Sequence, residues 1–98
     1  MANICNNKMY VNSPNKESLQ QIQEFMENWG MDSILEEIDE ETFEYYFDSN
    51  WNFPETDMQK MTDSIKDTED LYIRVLSIEE GNYYAKYNVF ENGCWNVV

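Results

Sequence analysis

The sequence predicts a single α+β domain. Segments whose apolar side chains alternate every second residue are interleaved with two whose apolar side chains recur every three or four. The 98 residues suit one domain with one modest core. No internal repeat or low-complexity linker divides the chain, so residues 1–98 read as one unit.

Each element has its own signal. Residues 3–12, "NICNNKMYVN", alternate weakly, with Cys5, Met9 and Val11 on one side and Asn7 between them, and read as a strand. Ser13 is a good helix N-cap and Pro14 suits the first helical position. Leu19, Ile22, Phe25, Met26 and Trp29 then form one helical stripe, and Gly30 ends it. Residues 31–39, "MDSILEEID", stay ambiguous: Glu and Leu favour helix, and the apolar pattern decides nothing.

From Thr42 to Asp48 the alternation is clean. Phe43, Tyr45 and Phe47 share one face; Glu44, Tyr46 and Asp48 share the other. "NWNFPE" breaks this strand, and Met58, Met61 and Ile65 mark a second helix over 55–66, just after Pro54. "LYIRVLSI" gathers Leu71, Ile73 and Val75; "EEGN" turns the chain; "YYAKYNVF", "ENG" and "CWNVV" read as a closing hairpin. If residues 32–38 pair as a strand with 42–49, the plan is ferredoxin-like βαββαβ with an added C-terminal β-hairpin. That is an antiparallel sheet with two helices on one face.

Charge narrows the function. The net charge is −14, from 20 acids and 6 bases, and no Lys or Arg falls between Lys16 and Lys60, where thirteen Asp and Glu do. Aromatic content of 15% argues against a disordered acidic tail. With no basic patch to hold a phosphate backbone, direct nucleic-acid binding is disfavoured. Tyr10, Tyr46, Tyr72 and Tyr84 would suit an aromatic platform on an open sheet face, but Arg74 and Lys86 supply little counter-charge. A lopsided charge of this kind serves either solubility or a partner with a positive surface.

Catalytic chemistry finds little footing, and the chain reads as a non-enzyme. There is no His, hence no Ser-His or Cys-His pair. Carboxylates are so numerous that any close pair is expected by chance. "DEETFE" and "DTED" lack the spacing of a calcium loop, so neither a metal nor another cofactor is expected. Cys5 and Cys94 could pair only if the first and last strands were neighbours. The start shows no signal peptide and no run approaches ~18 apolar residues. The expectation is a protein of the cytosol, with free thiols and no membrane contact.

Several fragments together resemble the Api92-like proteins, a ferredoxin-like family of phages and mobile elements. "MANICNNKMYV" resembles that family's opening "MANWCSNxLxV", and "ENWGMDS" at 27–33 its "ENWGTKWD". "FEYYFDSNWNFPETDMQKM" at 43–61 is similar to its "YxFxTAWSPPxxxxxxL", and "LYIRVLSIEEGNYYA" to its closing strand and Glu–Gly turn. Asn6-Asn7 stands where the family has Ser-Asn, "TKW" is missing after Gly30, and the stretch before "ENWG" is shorter, as in a reduced version. The resemblance implies that residues 31–39 are a strand and that the origin is a phage or mobile element. It implies no catalytic mechanism.

The acids then have a reading. In residues 36–48, "EEIDEETFEYYFD", seven of thirteen side chains are carboxylates. Phe43, Tyr45 and Phe47 would anchor a hairpin that displays Glu36, Glu37, Asp39, Glu40, Glu41, Glu44 and Asp48. Same-face residues on a strand lie ~6.6 Å apart, and phosphates advance ~3.4 Å per nucleotide along a duplex, so such a hairpin imitates part of a phosphate track. Tyr46, Trp51 and Tyr84 would add packed anchors. The expected partner is the basic nucleic-acid-binding surface of a host defence protein, of anti-CRISPR or anti-restriction relevance. The rivals are a phage interaction or assembly module whose acidity serves solubility, and a small-ligand site on the open sheet face.

Overall fold

The computed structural model describes residues 4–29, 32–50, 53–79, 81 and 84–98. The elements run β1 (Ile4–Asn12), α1 (Lys16–Asn28), β2 (Ser33–Asp39), β3 (Thr42–Asn50), α2 (Glu55–Asp63), β4 (Tyr72–Glu79), β5 (Tyr84–Glu91) and β6 (Cys94–Val97). The strands form one sheet in the order β2-β3-β1-β4-β5-β6, and each neighbouring pair is antiparallel. The architecture is α+β, consistent with the ferredoxin-like plan. Residues 33–39 are a strand, as the resemblance implied.

Alternation sorts the sheet into two faces. Met9 and Val11 of β1, Phe43, Tyr45 and Phe47 of β3, Ile73 and Val75 of β4, and Phe90 of β5 are buried in one cluster. Leu19, Ile22 and Met26 of α1 and Met58 and Met61 of α2 complete that cluster, with Ile65 beyond. Both helices therefore lie on one face. Trp29 packs edge-on against Phe47, 5.4 Å between ring centroids. The other face stays open.

Two helix boundaries depart from the sequence reading. Asn15, not Ser13, caps α1: its backbone is extended and its side chain accepts from the Glu17 and Ser18 amides. Ser13 is occupied elsewhere. Its own amide donates to the Glu41 carbonyl at 3.0 Å, fastening the β2–β3 turn to the end of β1, and its hydroxyl accepts from the Asn15 amide. The second helix ends at Asp63 rather than residue 66, because the Ser64 amide and hydroxyl both turn back onto α2 carbonyls. Ile65 is buried all the same. Gly30, the expected stop of α1, lies outside the described residues.

The closing hairpin turns on Asn92 and Gly93, both at positive φ, as an Asn-Gly turn requires. It is docked through Trp95, whose ring meets Phe53 and Phe90 and whose indole N–H donates to Thr62 Oγ1 at 3.1 Å. Asn7, on the buried side of β1, is satisfied by design of the sheet. Its amide donates to Ser49 Oγ and to the Cys5 and Phe47 carbonyls, and its carbonyl accepts from Ser77 Oγ at 2.7 Å.

Candidate protein-interaction surface

The acidic hairpin exists, and its residues divide between the two faces. Cross-strand partners share a face, so register decides the division. Glu36 lies opposite Glu44, and Ile34 opposite Tyr46, on the open face. Leu35 lies opposite Tyr45 and Glu37 opposite Phe43, on the helix side. A register shift between Glu37 and Asp39 follows, and the chain turns at Glu40 and Glu41, where Asp39 Oδ1 accepts from the Glu41 amide at 2.8 Å. The acids thus wrap around an edge and a tip rather than form one flat row.

The tip is not alone at its end of the sheet. The loop between α2 and β4 is pinned nearby: Ser18 Oγ donates to the Asp67 carbonyl at 2.6 Å, and the Asn15 side chain reaches the Asp67 carboxylate. Asp67, Glu69 and Asp70 of that loop and Glu17 in the first turn of α1 are exposed there. Glu41 is tied to Ser13 and Asp67 to Asn15, so short stretches of chain join the two groups of acids.

Not every expected residue is available for a partner. Glu44 is half-buried and sits 3.4 Å from Lys8 Nζ. Tyr46 is half-buried on the open face, with Lys8 over its ring. Asp48 is exposed on that face, opposite Asn6. Trp51 lies outside the described residues. Tyr84 is on the helix side, opposite Glu79, with its hydroxyl accepting from the Phe53 amide at 3.5 Å. The reading that put Tyr84 on the open face with Tyr10, Tyr46 and Tyr72 is therefore corrected. The run "YYAKYNVF" admits two alternations, and pairing with β4 selects the one that puts Tyr87, not Tyr84, on the open face.

The open face forms cross-strand rows. One reads Ile34, Tyr46, Lys8, Leu76, Tyr87; the next reads Glu36, Glu44, Tyr10, Arg74, Val89. Arg74 lies over the Tyr10 ring at 4.1 Å, and Tyr10 meets Tyr72 edge-on. Both cations of this face are thus engaged with neighbours. A hollow of about 600 Å³ spans β2, β3, β1 and β4 at one end of the sheet, and its lining includes Ile34, Tyr46, Leu76 and Ile78 together with Asp32 and Asp48. Sequence reasoning missed Ile34, Leu76 and Ile78 as surface groups. The "LYIRVLSI" alternation did contain the last two, as the residues out of phase with Ile73 and Val75.

Both cysteines are free; β4 and β5 separate the strands that carry them. Burial pushes the Cys5 thiol above its ordinary value; hydrogen bonds to Ser49 and Ser77 oppose this, and the charges of Glu79 and Asp48 add to it. Among the described residues, no group of three or more Cys, Asp and Glu side chains is placed to hold a metal ion, and no helix is long and apolar enough to cross a membrane. The chain matches no family model, no curated protein and no solved structure.

Proposed function

We propose that this protein is a small phage-encoded inhibitor of a host nucleic-acid-handling defence enzyme, acting by stoichiometric binding to its Arg/Lys-lined surface. The observation that carries the reading is the acidic tip Asp39–Glu40–Glu41. It is exposed, fastened to β1 through Ser13, and set in a stretch of chain without a single base. A fixed array of carboxylates speeds association with a positive surface and selects against negative ones. The resemblance to Api92-like proteins supports the phage origin. The strand order β2-β3-β1-β4, with both helices on one face, supports a ferredoxin-like core to which β5 and β6 add a hairpin.

The same reading makes direct nucleic-acid binding unfavourable, since Lys8 and Arg74 are held against Glu44 and Tyr10. Its test is capture from the natural host at low and high salt, followed by nucleic-acid competition on the captured protein. The triple variant Glu36→Lys/Glu40→Lys/Glu41→Lys should keep the fold and lose capture. Equal capture by the variant would exclude the acidic hairpin as the contact.

A second reading has its own observation. Ile34, Leu76 and Ile78 are exposed on the open face around the hollow. An assembly or interaction module would use that apolar surface. Its affinity would persist at high salt, whereas a charge-led interface weakens steeply.

A further inference from the structure

We infer that the free edge of β2 is a docking strand for an extended segment of the partner protein, one in which two basic residues precede two apolar ones. The inference rests on the proposed binding to a basic protein surface and specifies its contact. β2 ends the sheet, and no described residue pairs with its outer edge. Its side chains from Ile34 to Asp39 are all exposed, with Ile34 at 69%, Leu35 at 40% and Ile38 at 50%. An edge of this kind presents a row of backbone donors and acceptors to another strand.

The order of side chains sets what fits. Ile34 and Glu36 show on the open face, Leu35 and Glu37 on the helix side. Each face of the edge therefore offers one apolar group followed by one acid. A strand added antiparallel meets Glu37, Glu36, Leu35 and Ile34 in that order. Its complement is two cations, then two apolar side chains. The apolar residue opposite Ile34 joins the row that runs through Tyr46 to Leu76 and borders the hollow. The cation opposite Glu36 joins the row in which Glu36 and Glu44 face each other with Lys8 on Glu44 alone. It relieves a like-charge pair that costs stability in the free protein.

The same pattern argues against a second copy as the occupant. β2 carries no Lys or Arg, so a second copy would bring no cation to the edge, and two β2 edges side by side would gather the acids of both strands at one seam, on chains that each carry −14. The register shift at Glu37 and Asp39 blunts only the far end of the strand, leaving residues 33–37 regular.

The probe is a head-to-tail cyclised β-hairpin peptide whose outer strand reads Thr-Lys-Arg-Val-Ile-Thr, titrated into the full chain with amide exchange followed by NMR. Binding with slowed exchange at alternate β2 amides is expected. N-methylation of the outward-facing amides leaves every charge in place, and should weaken binding about tenfold or more, the worth of one or two lost hydrogen bonds. The Glu36→Lys/Glu37→Lys variant, both sites exposed, should reject this peptide and bind one with Glu-Glu in place of Lys-Arg. Equal binding of the N-methylated peptide would overturn strand addition while leaving the charge-led reading intact. No binding at all, or occupation of the β2 edge by self-association, would also overturn it; capture from the host then judges the broader reading on its own.

Discussion

Glu36 and Glu44 stand directly opposite one another on the open face of the β2–β3 ladder, and Lys8 reaches only Glu44, at 3.4 Å. Lys8 is thus the one cation that tempers a like-charge pair there among the described residues. Replacing it by Met should destabilise the fold by roughly 0.5–1 kcal/mol at low salt, given that Lys8 is itself half-exposed. Urea melts at low and high ionic strength check this. The deficit should shrink as salt screens the carboxylates.

Asn7 is the polar hub inside the sheet. It joins β1 to Ser49 of β3 and Ser77 of β4 through 2.9 and 2.7 Å hydrogen bonds. Asn7→Ala removes one hydrogen-bond partner from each hydroxyl, and the donors to the Cys5 and Phe47 carbonyls, inside a buried site. A loss of about 2–3 kcal/mol is expected by chemical denaturation. Restoring the amide as Gln should not rescue it, because the longer side chain overfills the gap between the strands.

Alkaline pH should loosen the molecule in two steps. Burial raises the Cys5 thiol above 9.0. Burial, with Glu27 adding, raises the Tyr45 hydroxyl above 10.0. Both groups bind their proton more tightly when folded, so their contribution is complete below those values. It falls away as pH rises through them toward the folded-state values. Stability measured from pH 7 to 11 should decline first above 9, and Cys5→Ala should remove that first decline. Thiol labelling at neutral pH should modify exposed Cys94 quickly and buried Cys5 only on unfolding.

The added hairpin is held by Trp95. Its indole donates to Thr62 of α2 while its ring fills the space between Phe53 and Phe90. Trp95→Phe keeps an aromatic ring and loses the hydrogen bond, with an expected cost of about 1–2 kcal/mol. Amide exchange in β6 should accelerate more than exchange in β1. Equal acceleration throughout would mean that the hairpin unfolds only with the whole domain.

Where one face of an element is buried, its sequence told the fold. Phe43, Tyr45 and Phe47 predicted β3, and Leu19, Ile22 and Met26 predicted α1, because each must point at the same core. β2 gave no such signal. Both of its sides are exposed, so nothing forces its apolar residues into phase, and Ile34-Leu35 followed by Glu36-Glu37 reads as helix by propensity. Its strand state comes from pairing with β3. The N-cap of α1 failed for a similar reason: Ser13 and Asn15 are both good caps, and a long-range bond to Glu41 decides between them. The acids were legible as a group. Their split around an edge was not, because a single ladder register fixes it.

The central claim is that the carboxylates of the β2–β3 hairpin are the contact with a basic, nucleic-acid-binding protein. The most direct measurement is competition between this protein and nucleic acid for the captured host target, repeated over a range of salt. Mutually exclusive binding is the predicted result, with affinity that drops steeply with salt and disappears in Glu36→Lys/Glu40→Lys/Glu41→Lys. Simultaneous binding of both, at an affinity that salt and the three reversals leave unchanged, would contradict it.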